Sequence, residues 1–206
     1  MPSNPSINST QLRTMYDNYA QTLNKNFTYS LQQIQCQAPN ESMFSLSVDC
    51  DNCTESYKEW LCSMVIPRCE DYSSNHAFLQ PRNAGQNFFN GTSLAENHPD
   101  RIFPPSNQSR SSMIDEEIKP GPYKEVLPCL DVCHNLVRSC PSKLGFSCPE
   151  GDRLNISYGR RSENGYVTCN YMGAAYYLNA ARDIRERLWF VLYSLAVFWV
   201  VSWMHV

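Results

Sequence analysis

The chain has 206 residues, a net charge of −3, a pI near 5.8 and a mean hydropathy of −0.45. With no basic excess it lacks the electrostatic footprint of a nucleic-acid binder, and 12 Tyr, 9 Phe and 4 Trp exclude disorder along the whole length. This length suits one domain with a core and appendages rather than two domains.

Residues 1–6 are polar, and no apolar stretch of the kind a secretory signal needs occurs before residue 30. Leu12, Met15, Tyr16, Tyr19, Leu23, Phe27, Leu31 and Ile34 then recur every three or four positions, which predicts one face of a long helix from about residue 8 to near Cys36. Residues 1–35 are therefore read as an amphipathic helical lead to a cysteine-rich domain over 36–175. Ser56 and Glu59 have capping-box spacing, so a second helix is expected from near Ser56, burying Trp60, Leu61, Met64 and Val65 and ending at Pro67. The proline-rich stretch 71–123 has little periodicity and is too long for a plain connector. It is read as an irregular insertion, either mobile or a surface that orders on a partner. A third helix is expected from about Cys129 to Cys140, with Cys133, Leu136, Val137 and Cys140 on one side and Pro128 and Pro141 as punctuation. The fold class is mainly α.

At the end of the chain, Leu188–Val206 runs without Asp, Glu, Lys or Arg, long enough to reach across a bilayer, which takes about 20 residues. Residues 176–206 are read as a juxtamembrane segment and hydrophobic tail. Arg182, Arg185 and Arg187 on its amino side would place that flank in the cytoplasm if the tail spans. The small residues Gly173, Ala174 and Ala175, a spacer and the apolar tail also fit a lipid-anchor signal. Both readings stay open, and in either case a membrane is a partner.

Ten cysteines fall into two groups, Cys36, Cys50, Cys53, Cys62 and Cys69, then Cys129, Cys133, Cys140, Cys148 and Cys169. Such a set is a disulfide framework or a metal cage. Asn-x-Ser/Thr acceptors at Asn8, Asn26, Asn40, Asn52, Asn90, Asn107 and Asn155 decide for disulfides, because a chain rich in acceptors belongs in a secretory lumen where thiols oxidise. The missing signal then implies the C-terminal part of a longer precursor, or a gene model without its first exon. Cys50-x2-Cys53 could be a redox pair, but its neighbours Asp49, Asp51 and Asn52 offer nothing to stabilise a thiolate, so structural bridging is expected.

Trp60-Leu61-Cys62, Pro67-Arg68-Cys69 and Leu127-Pro128-Cys129-x3-Cys133-x6-Cys140 resemble the Frizzled-type cysteine-rich domain. That resemblance implies a small helical domain stapled by about five disulfides, Cys36–Cys69, Cys50–Cys62, Cys53–Cys140, Cys129–Cys169 and Cys133–Cys148. The close Cys50–Cys53 interval departs from it, since the region that family uses between these cysteines is missing. Longer runs carry a second resemblance: Met15-Tyr16-Asp17-Asn18, Tyr57-Lys58-x-Trp60-Leu61-Cys62, Ile66-Pro67-Arg68-Cys69-Glu70-Asp71, Leu79-Gln80-Pro81-Arg82-Asn83, Pro120-Gly121-Pro122-Tyr123-Lys124-Glu125-Val126-Leu127-Pro128-Cys129 and Leu154-Asn155-x-Ser157-Tyr158-Gly159. Together they resemble the C-terminal half of the fungal stretch-activated calcium-channel component of the mating-induced-death family.

That resemblance implies a glycosylated auxiliary subunit at the plasma membrane, on its extracellular face, and at the endoplasmic reticulum membrane. It would assemble with a pore-forming voltage-gated-type calcium-channel subunit and support calcium influx after stretch, stress or pheromone. The alternative is a stand-alone membrane-anchored receptor module binding a lipid or glycan, which the short Cys50–Cys53 interval disfavours. A single apolar tail provides no polar lining, so the chain is not expected to conduct alone.

The rigid turn Pro120, Gly121, Pro122 and Tyr123 is the candidate docking element, or simply the lead-in to the third helix. Asp115, Glu116 and Glu117 attract cations or form a solvated face. His76, His98 and His134 show no partner spacing. No phosphate loop, nucleophile elbow or zinc-protease helix occurs, so no enzyme, catalytic residue, metal site or cofactor is expected.

Overall fold

The computed structural model describes residues 7–34, 36 and 49–174. By contact the chain divides into Met1–Tyr171 and Met172–Val206. The tail 176–206 lies outside the described residues, and among those described no helix is long and apolar enough to cross a membrane.

Helix α1 spans Ser9–Gln32 and starts at Asn8, whose Oδ1 accepts from the Gln11 amide while the Gln11 side chain accepts from the Asn8 amide. This reciprocal pair satisfies two donors that a helix start otherwise leaves bare. Helix α2 spans Cys50–Val65, about two turns longer at its start than the Ser56 cap predicted. Asp49 and Asn52 form the capping box instead. Ser56 is buried inside the helix, accepting from Asn135 Nδ2 at 3.3 Å. The helix ends at Val65 because Pro67 holds Ile66 in extended backbone. Asn170 Nδ2 then donates to the carbonyls of Ser63 and Ile66, both at 3.1 Å, satisfying the helix end. Helix α5, Leu130–Ser139, lies within the predicted bounds, with Cys129 and Cys140 as its flanking caps.

These three helices bury one core. Phe27 and Leu31 of α1 meet Tyr57, Leu61 and Val65 of α2 and Leu136 of α5. Phe27 stacks on Tyr57 with ring centroids 3.7 Å apart, and Phe146 tilts against both. Leu136 is 2 % exposed, and its loss to Ala belongs to the class costing about 2–5 kcal/mol.

Beside the helices lies a three-stranded antiparallel sheet, so the expected mainly α domain is a mixed one. Strands β1 (Arg68–Glu70), β2 (Leu79–Arg82) and β3 (Tyr123–Val126) run in the order β1-β3-β2. The strands are short and carry Pro81, Arg68, Arg82, Lys124 and Glu125, so neither an apolar run nor clean alternation marks them. The segment 71–123 supplies β2, two single-turn helices α3 (Pro99–Ile102) and α4 (Pro104–Asn107), and a π-helical turn Met113–Ile118. The π-helical turn buries Met113, Ile114 and Ile118 with Tyr123, against Leu12, Met15 and Tyr16 of α1.

A buried triad ties this segment to the sheet. Glu125 on β3 is 1 % exposed and accepts from Arg82 Nε at 2.7 Å on one oxygen and from Arg110 Nε on the other. Arg82 also donates to the carbonyls of Pro105 and Ile156, at 2.8 and 3.1 Å, and Arg110 to that of Ser157 at 2.6 Å. The one carboxylate serves both guanidinium groups, and the carbonyls of Pro105, Ile156 and Ser157 take up further donors of the two arginines, as burial demands.

Four disulfides form, not five. Cys53–Cys140, Cys129–Cys169 and Cys133–Cys148 close as the Frizzled resemblance implied. Cys36–Cys69 and Cys50–Cys62 do not: Cys36 pairs with Cys50, leaving Cys62 and Cys69 as thiols. Cys50 and Cys62 lie on the same helix. Twelve residues of helical rise put them about 18 Å apart, whereas a bridge tolerates about 7 Å between Cα atoms. Cys50 and Cys53 have different partners, so they are not a redox pair. Cys129–Cys169 brings the 158–170 segment against 127–130, where the Cys129 amide donates to Asn170 O at 2.9 Å and the Gly159 amide to Pro128 O at 2.8 Å. Any Cβ at Gly159 would sit 2.9 Å from the Cys169 Cβ, which explains the glycine.

Candidate docking groove

The predicted docking turn forms one wall of a groove of about 820 Å³. Pro120, Pro122 and Tyr123 line it, facing Leu12 and Tyr16 of α1, Pro67 and Cys69 at the start of the sheet, and Tyr72, Phe88 and Phe89 of the insertion. Gly121 stands behind the wall. Its φ of +76° suits glycine, and an added Cβ would meet Asn87 O at 2.6 Å. Its amide donates to Gln86 Oε1 at 3.1 Å, so the turn is fixed to the 86–88 loop. Opposite, Tyr72 meets Phe88 edge to face at 5.6 Å and donates its hydroxyl proton to Asp100. Phe89 remains 75 % exposed at the lip.

Acidic protons are held tightly here. Burial pushes the Tyr16 hydroxyl up to about 12, with Cys69 and Glu125 adding to the shift. Burial also raises Tyr123, and Glu125 raises it further. Cys69 is exposed and lines the groove. Desolvation first, then the Glu125 carboxylate directly across the β1–β3 pair, raise it to about 12. Cys69 is therefore a neutral thiol, unsuited to nucleophilic chemistry.

Two further cavities lie elsewhere on the surface. One, of about 620 Å³, lies between α1 and Phe146 and includes Asn26; the other, of about 770 Å³, mixes His134, Arg138 and Arg160 with Glu150. Asn8, Asn26, Asn52, Asn90, Asn107 and Asn155 are exposed, and Asn40 lies outside the described residues. Asn90 has the geometry most suited to an acceptor: Oδ1 accepts from the Thr92 amide at 3.0 Å and hydroxyl at 2.6 Å, around Gly91 at φ +82°. Asn107 Nδ2 instead donates to Arg101 O at 2.6 Å.

In the acidic run, Asp115 accepts from the Ser109 amide at 2.9 Å while Glu116 and Glu117 face solvent. Among the described residues no three His, Cys, Asp or Glu side chains are placed to hold a metal ion. His98 takes an N-cap role, accepting from the Asp100 amide at 3.2 Å.

Residues 1–175 match the Mid1 family, described as a stretch-activated Ca²⁺-permeable channel component. The chain belongs to the Mid1 family. It is 37% identical over 204 residues to the stretch-activated cation channel yam8 of Schizosaccharomyces pombe, covering 98% of this chain and 37% of that protein. It is 35% identical over 171 residues to the stretch-activated cation channel MID1 of Saccharomyces cerevisiae, covering 81% of this chain and 27% of that protein. A MID1 protein of Cryptococcus neoformans is 25% identical over 150 residues. The matched part of the chain thus spans 37% of the length of the first of these relatives, 27% of the second and 23% of the third. No solved structure matches it. The Mid1 family is one of channel components, not an enzyme family.

Sequence reasoning did not find the groove's support. Arg82, Arg110 and Glu125 were ordinary charged residues in irregular sequence. The available sign was the charged pair Lys124-Glu125 set between Tyr123 and the apolar Val126-Leu127.

Proposed function

We propose that this chain is the docking portion of an auxiliary, regulatory subunit of a fungal plasma-membrane calcium channel. It sits on the extracellular side of a pore-forming voltage-gated-type subunit and supports calcium influx activated by stretch, stress or pheromone. The same protein resides in the endoplasmic reticulum membrane during assembly. Membership of the Mid1 family over residues 1–175 is the observation that carries this reading. Four disulfides and the exposed acceptors Asn8, Asn26, Asn52, Asn90, Asn107 and Asn155 fit the extracellular side. Docking falls to the groove walled by Pro120, Pro122 and Tyr123 and braced by Gly121. The disulfide framework staples α2 to the end of α5 and holds α5 to its flanking loops, and the hydrophobic tail holds the subunit at the membrane.

The receptor alternative is less well supported, because the groove is rimmed by carboxylates rather than closed around an apolar ligand. Affinity purification of the tagged, glycosylated protein from native membranes tests the proposal. Recovery of a multi-span channel protein supports it, and recovery of the chain alone refutes it. In cells lacking the gene, a Cys129→Ser/Cys133→Ser version is expected not to restore calcium uptake, since it removes two bridges at once. Each such bridge contributes typically about 2–4 kcal/mol.

A further inference from the structure

The groove's chemistry is uneven in a way its apolar character does not require. Its lining includes Glu70 and Asp71, and neither Lys, Arg nor His. Each carboxylate uses one oxygen locally. Glu70 Oε2 accepts from the Ser74 hydroxyl at 2.7 Å, and Asp71 Oδ1 accepts from the Ser73 amide and hydroxyl at 2.8 and 2.6 Å. The second oxygen of each has no partner among the described residues. The Ser73 bonds also hold the Asp71 carboxyl below the usual range, so it stays ionised. Lys124, on the central strand, does not line the groove: its Nζ donates to Ser74 O and lies 5.4 Å over the Tyr72 ring. The wall therefore already shows how an aromatic face there receives a cation.

We propose that the groove receives a cationic, apolar peptide segment, one in which Arg or Lys alternates with aliphatic or aromatic residues. This deepens the docking proposal and rests on it: the segment belongs to the extracellular part of the pore subunit. Its apolar side chains cover Phe88, Phe89 and Pro122, and its cations meet the open oxygens of Glu70 and Asp71. Guanidinium suits this site best, because its planar fork matches the open oxygens of a carboxylate. An acidic or neutral segment leaves both carboxylates facing a desolvated partner, which disfavours it. β1 is an edge strand of the sheet, so an extended segment also has backbone beside which to lie.

The test uses the full-length, glycosylated, oxidised protein in detergent and three fluorescent octapeptides read by polarisation. One alternates Arg and Leu, one replaces every Arg by Glu, and one is all Lys. The Arg–Leu peptide is expected to bind at least tenfold more tightly than either other peptide. Glu70→Gln/Asp71→Asn, at a half-buried and an exposed position, and, separately, Phe89→Ala, at an exposed one, are each expected to weaken it about tenfold. Asn90→Gln is assayed in parallel, because this acceptor follows Phe89 and a glycan there would crowd the lip. Equal binding of the Arg–Leu and Lys peptides, unchanged binding by the Glu70/Asp71 variant, or no binding even with Asn90→Gln each overturns the proposal. Co-purification of the pore subunit separates the two levels. Wild-type protein that retains the pore while the peptide result fails leaves the auxiliary-subunit reading standing without this occupant. Wild-type protein that never retains the pore removes the reading itself.

Discussion

Glu125→Gln perturbs the triad while keeping its shape. Glu125 is the common acceptor of Arg82 and Arg110, whose side chains are 8% and 13% exposed. Without the carboxylate, two guanidinium groups face each other across a neutral amide. Breaking a buried pair in this way costs about 3–5 kcal/mol, largely from the charge left uncompensated. The carbonyls of Pro105, Ile156 and Ser157 still accept from the two arginines, so the lower end, about 3 kcal/mol, is expected. For a domain of this size, that lowers Tm by about 6–12 °C. Thermal unfolding of the oxidised protein, followed by circular dichroism, measures it. Limited proteolysis supplies the location, since both arginines anchor the 71–123 segment and new cleavages should appear there first. Replacing the triad together, Arg82→Met/Arg110→Met/Glu125→Leu, should recover most of the loss, because apolar substitutes for a buried ionic set are often neutral or better. A Tm within 2 °C of wild type for Glu125→Gln, with an unchanged digestion pattern, would refute the reasoning.

Gly121→Ala should destabilise by at least about 1–2 kcal/mol for the left-handed backbone alone, with the Asn87 clash adding to it; a chemical denaturation midpoint equal to wild type would contradict the turn geometry. Alkylation under native, non-reducing conditions at pH 8 should leave Cys69 nearly unmodified, because burial and Glu125 hold its thiol near 12, whereas alkylation after non-reducing denaturation should tag Cys62 and Cys69 and no other cysteine. Peptide mapping that finds Cys36 joined to Cys69 would count against this arrangement. Stability should hold from neutral pH to about 9 and then fall. The Cys69 and Tyr16 protons leave the unfolded chain near ordinary thiol and phenol values but are retained to about 12 in the fold, so rising pH favours the unfolded state through that window. Cys69→Ala should flatten part of the fall, and an equally steep loss in that variant would show the thiol is not responsible. Glycopeptide mass spectrometry should find a glycan at Asn90, where Thr92 already holds the acceptor amide in a turn; an unmodified Asn90 in protein glycosylated elsewhere would show that this turn does not determine occupancy.

Helices were legible because their signals are local. Leu12 to Ile34 repeats at helical spacing, and Pro67 and Pro141 stop what precedes them whatever the tertiary setting. The start of α2 was missed because two adjacent capping boxes compete, and the acidic Asp49 with Asn52 wins over Ser56, which the core claims through Asn135. The sheet and the groove left little local trace. Strands β2 and β3 pair across some forty residues of sequence, through a register set by Leu79 against Val126 and Arg82 against Tyr123, and no short-range pattern encodes such a pairing.

The ordered family runs in the sequence carried the kinship of this chain, and the Frizzled resemblance implied the three bridges Cys53–Cys140, Cys129–Cys169 and Cys133–Cys148, which form. The other pairings were not decided there. Only the folded chain shows that α2 is continuous from Cys50 to Val65, which separates Cys50 from Cys62 by the length of a rigid rod. Only the folded chain brings Arg82, Arg110 and Glu125 together from three distant stretches, and with them the wall of aromatic rings above. A buried charge must be neutralised by whatever the fold places beside it, and what lies beside it is a property of packing in three dimensions.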